Sequence, residues 1–217
     1  MKCIPDNFNA VIFDMDGVLV NSEPFYFEVE KQNFEKLGLN ITDEEHQTFQ
    51  GTATDLMWKR LKTKYKLPHS IPELVNMTNS IVTPYFESLE NIDPMPGIKE
   101  LIQLLIKKNI PLAVASSSYP DVIELILKKT RLKEYFGVVV DSQMAGASKP
   151  EPDIFLLAAA KLGVLPEKCL VIEDSTNGIK AAQTAGMKVV AFAGPGSEFQ
   201  DQSEADWVVK DFIEICR

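Results

Sequence analysis

Cysteine is scarce in this chain: Cys3, Cys169 and Cys216 are the only three among 217 residues. They are odd in number and far apart, which excludes a disulfide framework and a paired CxxC metal site. Reduced thiols suit such spacing, and with them a cytoplasmic location. Long apolar runs are missing too. Apolar residues make up 45% of the chain, yet no stretch reaches the roughly 18 consecutive residues needed to cross a bilayer. The opening Met1-Lys2-Cys3-Ile4-Pro5-Asp6-Asn7 has no secretion-signal core, so no membrane attachment is expected. Positive charge is in deficit, with 22 Lys and Arg against 31 Asp and Glu and a net charge of -9. Binding a phosphate backbone needs clustered cations, so nucleic acid is not an expected partner. The one basic cluster, Lys59, Arg60, Lys62, Lys64 and Lys66, reads as a solvated helix face. Histidine is limited to His46 and His69. Neither has an acidic or cysteine partner at metal-ligand spacing, which makes them surface or packing residues. Trp58, Trp207 and the phenylalanines read as packing. No internal repeat or low-complexity segment is visible.

The length and composition are those of a globular protein of one or two domains, able to bury roughly 70% of its unfolded surface. A monomer is expected. From residue 94 onward short apolar runs alternate with helical patterns. Ile98, Leu101, Ile102 and Leu105 fall at i, i+3, i+4 and i+7 after Pro96-Gly97. Leu112–Ala115 reads as a buried strand, Val122, Leu125 and Ile126 as a helix, and Val138–Val140 as a strand. Ile154, Leu157, Ala158 and Leu162 mark a further helix, followed by the strand Cys169–Ile172. A helix through Ile179 and Ala182 then leads to the strand Val189–Phe192. Continuous apolar strands between amphipathic helices predict a doubly wound α/β fold with a parallel sheet covered on both faces. The stretch between Ser22 and Pro94 breaks this rhythm and is helical throughout, with Phe27, Phe34 and Leu37 on one face before Gly38, and Leu56, Leu61 and Leu67 later. The division expected is therefore a core of residues 1–21 and 95–217 and a helical insertion of residues 22–94.

The densest chemistry sits at Val11-Ile12-Phe13-Asp14-Met15-Asp16-Gly17-Val18. An apolar strand here ends in two carboxylates one residue apart. One can serve as a nucleophile and the other as an acid/base, with a divalent cation beside them. A polar turn is the alternative, because Asp and Gly are ordinary turn residues. An EF-hand loop is rejected: it needs an acidic or amide side chain where Val18 stands and glycine where Leu19 stands.

The segment Asp14-Met-Asp-Gly-Val-Leu-Val-Asn-Ser22-Glu-Pro24 resembles the first signature of the haloacid dehalogenase superfamily, in its sugar-phosphate phosphatase and beta-phosphoglucomutase-like branch. The likeness recurs in order at Ala115-Ser116-Ser117-Ser118, at Ser148-Lys149-Pro150-Glu151-Pro152-Asp153 and at Ile172-Glu173-Asp174-Ser175-Thr176-Asn177-Gly178. All four segments fall at the carboxyl ends of strands or in loops entering helices, where open parallel sheets bind ligands. The resemblance implies a HAD-like α/β core with an inserted helical cap, and a Mg2+-dependent hydrolase of small phosphorylated metabolites such as sugar or polyol phosphates. It implies Asp14 as the nucleophile that becomes an aspartyl-phosphate, Asp16 as the acid/base, and Lys149 as a charge stabilising both Asp14 and the phosphoryl group. Ser116 and the backbone N–H of Ser117 would hold the phosphoryl oxygens. Asp14, Asp16 through its backbone carbonyl, Asp174 and Glu173 would surround the metal, Glu173 either as ligand or as orienter.

Taken singly, Ser117, Ser118 and Ser175 read as capping residues, Lys149 as a surface lysine, and Glu173-Asp174 as a helix-start acidic pair. Dehalogenation is disfavoured because dehalogenating members lack the second aspartate, here Asp16. Mutases of the branch carry a cap histidine where Tyr26 stands, and a cap arginine and lysine where ungapped counting reaches Thr54 and Thr78, so a hydrolase is preferred to a mutase. A response-regulator receiver, a phospho-acceptor without turnover, shares the fold class and the acidic site. It is far shorter and carries its aspartate after a later strand.

Overall fold

The computed structural model describes residues 7–49 and 51–216. Cys3 lies outside those residues, as does the side chain of Cys216. The elements run β1 (Ala10–Phe13), α1 (Glu23–Lys36), α2 (Asp43–Gln47), α3 (Thr54–Tyr65), α4 (Ile71–Ser88), α5 (Ile98–Lys107), β2 (Leu112–Ser116), α6 (Pro120–Lys129), β3 (Val138–Asp141), α7 (Ser142–Ala145), α8 (Asp153–Leu162), β4 (Cys169–Glu173), α9 (Thr176–Thr184), β5 (Lys188–Phe192) and β6 (Trp207–Val209). The strands form one six-stranded parallel sheet in the order β3-β2-β1-β4-β5-β6. β1 is central, and the strand order reverses between it and β4.

Side chains alternate across a strand, and both faces are used. Val11, Phe13, Leu112, Val114, Leu170, Ile172, Val190 and Phe192 point to one face, where α5, α6 and the turn at Phe212–Cys216 cover them. Ala10, Ile12, Ala113, Ala115, Val171, Val189 and Ala191 point to the other, beneath α8 and α9. Small alanines on that second face let the helices approach closely. This is the doubly wound architecture that the apolar rhythm predicts.

Two helix faces differ by one position from the sequence reading. In α6 the buried stripe is Val122, Ile123, Ile126 and Leu127, with Leu125 half-buried at its edge. In α8 it is Ile154, Phe155, Ala158 and Ala159. The phase of a continuously apolar helix is set by the sheet beneath it, and local periodicity does not determine it. β6 is a further strand that the sequence reading left out, because three residues at a sheet edge leave almost no pattern.

The chain leaves and re-enters the core at one point. Val20 bridges Pro94, and the Met95 N–H donates to the Leu19 carbonyl at 2.7 Å. Between them α1–α4 form a helical layer. Val29, Val82 and Phe86 of this layer join the core beneath the sheet, while Phe34, Phe49, Met57, Trp58, Leu61, Leu67 and Leu74 close a separate apolar cluster farther out. The basic cluster on α3 is solvated as expected, with Lys59 paired to Asp55 and Lys64 to Glu45, both at 2.7 Å. No helix among the described residues is long and apolar enough to cross a membrane.

Phe86 is fully buried among Phe25, Tyr26 and Tyr85 of the layer and belongs to the same apolar cluster as the sheet residues and α5 and α6, so it helps attach the layer to the core. Phe86→Ala is expected to cost about 3–5 kcal/mol of unfolding free energy. Denaturant unfolding checks this, and a loss below about 1 kcal/mol would remove Phe86 from that role.

Candidate active site

Three strand ends and one loop converge on a cavity between the sheet and the helical layer. The Asp14 N–H donates to the Ile172 carbonyl at 2.9 Å, continuing the β1–β4 ladder, so the Asp14 side chain emerges where the strand order reverses. Asp16 follows in a tight turn in which the Met15 carbonyl accepts from Leu19 at 2.8 Å and the Gly17 N–H donates to Val20 at 2.8 Å. Gly17 has φ +82, and a Cβ there would stand 2.2 Å from Asp174 Oδ2. A side chain at 17 would therefore separate the two acidic segments. Ser116 ends β2, Glu173 and Asp174 end β4, and Lys149 enters from the loop before α8.

Lys149 is 5% exposed and makes three polar contacts: Asp14 Oδ1 at 2.5 Å, Glu173 Oε1 at 2.8 Å and the Ala115 carbonyl at 3.2 Å, with Nζ 4.9 Å from the Phe155 ring centre. Burial works against its charge, but Asp14 and Glu173 outweigh it and hold the ammonium above its ordinary pKa. Glu173 is fully engaged, since its other oxygen accepts from the N–H groups of Asp174 (2.7 Å) and Ser175 (2.6 Å) and from Ser175 Oγ (3.0 Å). Of the two roles open to it, that of orienter fits these contacts. Gly178 makes room for it, because a Cβ at 178 would fall 1.6 Å from Glu173 Oε1.

Asp16 is held differently. Its Oδ1 accepts from Ser22 Oγ at 2.5 Å, and its Oδ2 from Ser118 Oγ at 2.7 Å and Ser116 Oγ at 3.3 Å. Ser118 Oγ also meets the Tyr26 hydroxyl at 2.7 Å. Burial raises the Asp16 pKa and these hydroxyls oppose the rise.

The donor set fits a hard divalent cation. Asp14, Glu173 and Asp174 each offer an oxygen within 4.8 Å of the others, all buried. Desolvation pushes Asp14 and Asp174 well above ordinary carboxylates; Lys149 opposes this at Asp14, whereas Glu173 and then Asp14 add to it at Asp174. Among the described residues lining the cavity, Asp14, Asp16, Glu23, Glu30, Glu173 and Asp174 face a single Lys149 and no arginine. Carboxylates packed this closely ionise together only with added positive charge, and oxygen donors suit Mg2+. The Asp16 carboxylate lies outside the triad; of the four acidic residues expected at the metal, three bring side chains together.

The other expected residues fall as follows. Ser117 and Ser118 line the cavity, whereas Ser116 is buried behind them, its hydroxyl turned to Asp16 and accepting the Ser118 N–H at 3.0 Å. Ser118 is thus more than a capping residue. Ser175 does cap α9, accepting from the Gly178 N–H at 3.1 Å. Thr54 lines the cavity, but Thr78 faces into the helical layer, accepting from Trp58 Nε1 at 2.9 Å, and Asn79 takes the place on the wall. A helix turns about 100° per residue, so neighbouring positions face different ways. His69 is exposed as expected. His46 is a packing residue between Phe27 and Phe34, and also bonds Glu30 at 2.7 Å and lines the cavity. No local spacing links positions 30 and 46, so sequence reasoning missed this pair; it likewise gave Ser22 no role.

Residues 11–192 match the sequence model of the family described as haloacid dehalogenase-like hydrolase. The chain is similar to a phosphorylated carbohydrates phosphatase of Thermotoga maritima, 33% identical over 82% of each chain. It is equally similar to a beta-phosphoglucomutase of Bacillus subtilis, 33% identical over 95% of this chain and 91% of the other. The crystal structure of CbbY from Rhodobacter sphaeroides in complex with phosphate superposes with a TM-score of 0.85, at 27% identity, covering 96% of both chains.

The raised carboxyl groups give a prediction for stability. A carboxyl whose pKa is higher folded than unfolded makes the folded state bind more protons, so metal-free stability falls as pH rises above the unfolded value near 3.8. A bound divalent cation replaces those protons. The rise in Tm caused by added Mg2+ is therefore expected to grow as pH is raised from about 4 to 8. Calorimetry in EDTA and in excess Mg2+ measures it, and a Mg2+ effect that is absent or shrinks with pH would contradict the assignment of Asp14 and Asp174.

Proposed function

The chain belongs to the haloacid dehalogenase-like hydrolase family, and from that membership we propose that it is a Mg2+-dependent phosphatase of small phosphate monoesters, phosphorylated sugars or polyols, acting through an aspartyl-phosphate on Asp14. The observation that carries this reading is the joint placement of a lysine-paired carboxylate and a hydroxyl-held carboxyl, Asp14 with Lys149 and Asp16 with Ser22, Ser116 and Ser118, beside one cavity.

An Asp14 oxygen attacks phosphorus and forms the Asp14–phosphoryl bond while the bond to the substrate's alcohol oxygen breaks. Asp16 gives that oxygen its proton. Lys149, already on Asp14 Oδ1, offsets the repulsion between carboxylate and phosphoryl group, and the backbone N–H of Ser117 donates to a phosphoryl oxygen. Asp14, Asp174 and the Asp16 carbonyl would hold Mg2+, which would supply further charge neutralisation for the attack. Asp16 then takes a proton from water, the water attacks phosphorus, and Asp14 and inorganic phosphate are released. Mobility of the helical layer as a cap belongs to the same proposal, since the site must open to exchange ligands and close to exclude bulk water.

The phosphatase and the mutase relatives are equally identical to this chain, so the choice rests on the roof of the cavity. A mutase must hold a sugar bisphosphate by its second phosphate, which favours arginine or lysine. Tyr26, Thr54 and Asn79 stand on this wall, and Lys149 is the only Lys or Arg among the described residues lining it. Water is the expected acceptor. Supplying beta-glucose 1-phosphate, Mg2+ and a catalytic amount of glucose 1,6-bisphosphate, while following inorganic phosphate and glucose 6-phosphate together, tests the reading. Phosphate release is expected; sustained glucose 6-phosphate with little free phosphate would establish the mutase, and no turnover of any phosphate ester would favour the stoichiometric acceptor.

The orienting role of Glu173 is tested through Gly178. Alanine at 178 improves helix propensity, yet its methyl group occupies the space of Glu173 Oε1. Gly178→Ala is expected to keep its circular dichroism spectrum and lose on the order of a hundredfold in kcat, as displaced preorganised charge does. Activity within twofold of wild type would show that Glu173 need not be held where it is.

A further inference from the structure

We infer that Glu30 and His46 form a subsite for the leaving group, one that takes a neutral polyhydroxyl chain and rejects a second phosphate. The inference rests on the phosphatase reading and deepens it. Both residues line the cavity from the helical side, on α1 and α2, opposite the strand-end carboxylates. Their geometry is fixed: Glu30 Oε2 meets His46 Nε2 at 2.7 Å, and the imidazole stacks on Phe27 at a centroid distance of 4.0 Å and meets Phe34 edge-on at 4.8 Å. Asn79 adds an amide to the same wall, and its Oδ1 is buried with no protein partner.

This wall offers a carboxylate, an imidazole and an amide, which between them accept and donate hydrogen bonds, and it offers no arginine or lysine among the described residues. Sugar and polyol hydroxyls can satisfy both kinds of group. A phosphate dianion beside Glu30 would meet a like charge in a partly dry cavity, a juxtaposition that is strongly unfavourable. Lys149 cannot relieve it, being already bound to Asp14 and Glu173. Phe27 and Phe49 line the same space and provide apolar surface for the C–H edges of such a chain.

The competing role is a strut, in which Glu30 and His46 do no more than pin α1 to α2. A matched set of substrates separates the two: a hexitol monophosphate, n-hexyl phosphate and a hexitol bisphosphate, with kcat/KM measured for wild type and for Glu30→Gln in Mg2+. Wild type is expected to prefer the hexitol monophosphate by about tenfold or more over each of the others, the worth of one charge-assisted hydrogen bond or one like-charge contact. Glu30→Gln, which keeps shape and hydrogen bonding but removes charge, is expected to shrink the penalty on the bisphosphate by about tenfold. Equal use of all three substrates by wild type, or an unchanged bisphosphate ratio in the variant, would leave only the strut. If the variant does not fold, the wild-type series alone decides. Hydrolysis of none of the three would overturn the phosphatase reading itself, and this inference with it.

Discussion

The ammonium of Lys149 stands between Asp14 and Glu173, and the rest of the site is organised around that contact. Three carboxylates at the ends of neighbouring strands repel one another, and burial makes the repulsion worse because little water remains to screen it. One cation placed at 2.5 and 2.8 Å from two of them offsets part of that cost. The third, Asp174, stays near the other two without a share of the ammonium's contacts. The remaining excess of negative charge favours positive charge in the cavity, and under the proposed function a divalent cation would complete the neutralisation that an anionic ester needs. Metal dependence, as proposed, would thus follow from charge balance among residues at the strand ends.

The sheet supplies the precision this balance needs. β1 and β4 pair in register from Ala10–Cys169 to Phe13–Ile172, so the residues that follow, Asp14 and Glu173, emerge at the same level. β2 lies on the other side of β1 and brings the turn at Ser116 to that level. A slip of one residue in either pairing would turn a carboxylate into the apolar layer beneath α8 or α5. The alternation of large and small apolar side chains along these strands, which looks like a matter of packing alone, thus also fixes which acidic side chain faces the cavity.

This explains what could be read from the chain and what could not. Asp14, Asp16, Ser116, Lys149, Glu173 and Asp174 stand in local patterns, each after an apolar run or before a helix, and the patterns persist because strand ends are where the geometry is most constrained. The parallel sheet was legible for the same reason. The phases of α6 and α8 were not, since both helices are apolar on more than one side and the sheet selects the face. The Tyr26–Ser118 contact spans 92 residues and the Glu30–His46 pair 16; such contacts are made by the packing of helices against one another and against the core, which no spacing rule encodes. Thr78 and Asn79 show the limit most clearly, for a single residue in a helix separates a side chain that bonds within the layer from one that lines the cavity.

The helical layer itself divides into two parts with different duties. Val29, Val82 and Phe86 belong to the core beneath the sheet, whereas Phe34, Trp58, Leu61 and Leu74 form a cluster that does not share side chains with it. The polar contacts joining the layer to the catalytic rim include the Tyr26–Ser118 hydrogen bond at 2.7 Å and the longer one from Asn177 to the Gly51 carbonyl at 3.4 Å. Hydrogen bonds of this kind contribute only about 1 kcal/mol each, far less than the burial of Phe86, worth roughly 3 kcal/mol or more. Attachment near Phe86 is consequently much firmer than attachment at the rim. A layer fixed at its base and lightly held at its edge is what the proposed cap motion would need, and Gly51, where a Cβ would stand 2.7 Å from the Ser175 Cβ, lets that edge settle against the turn that follows β4. Under the proposed function selectivity would fall to α1, α2 and α4, whose side chains line the cavity opposite the strand-end carboxylates, while the chemistry stays with the sheet.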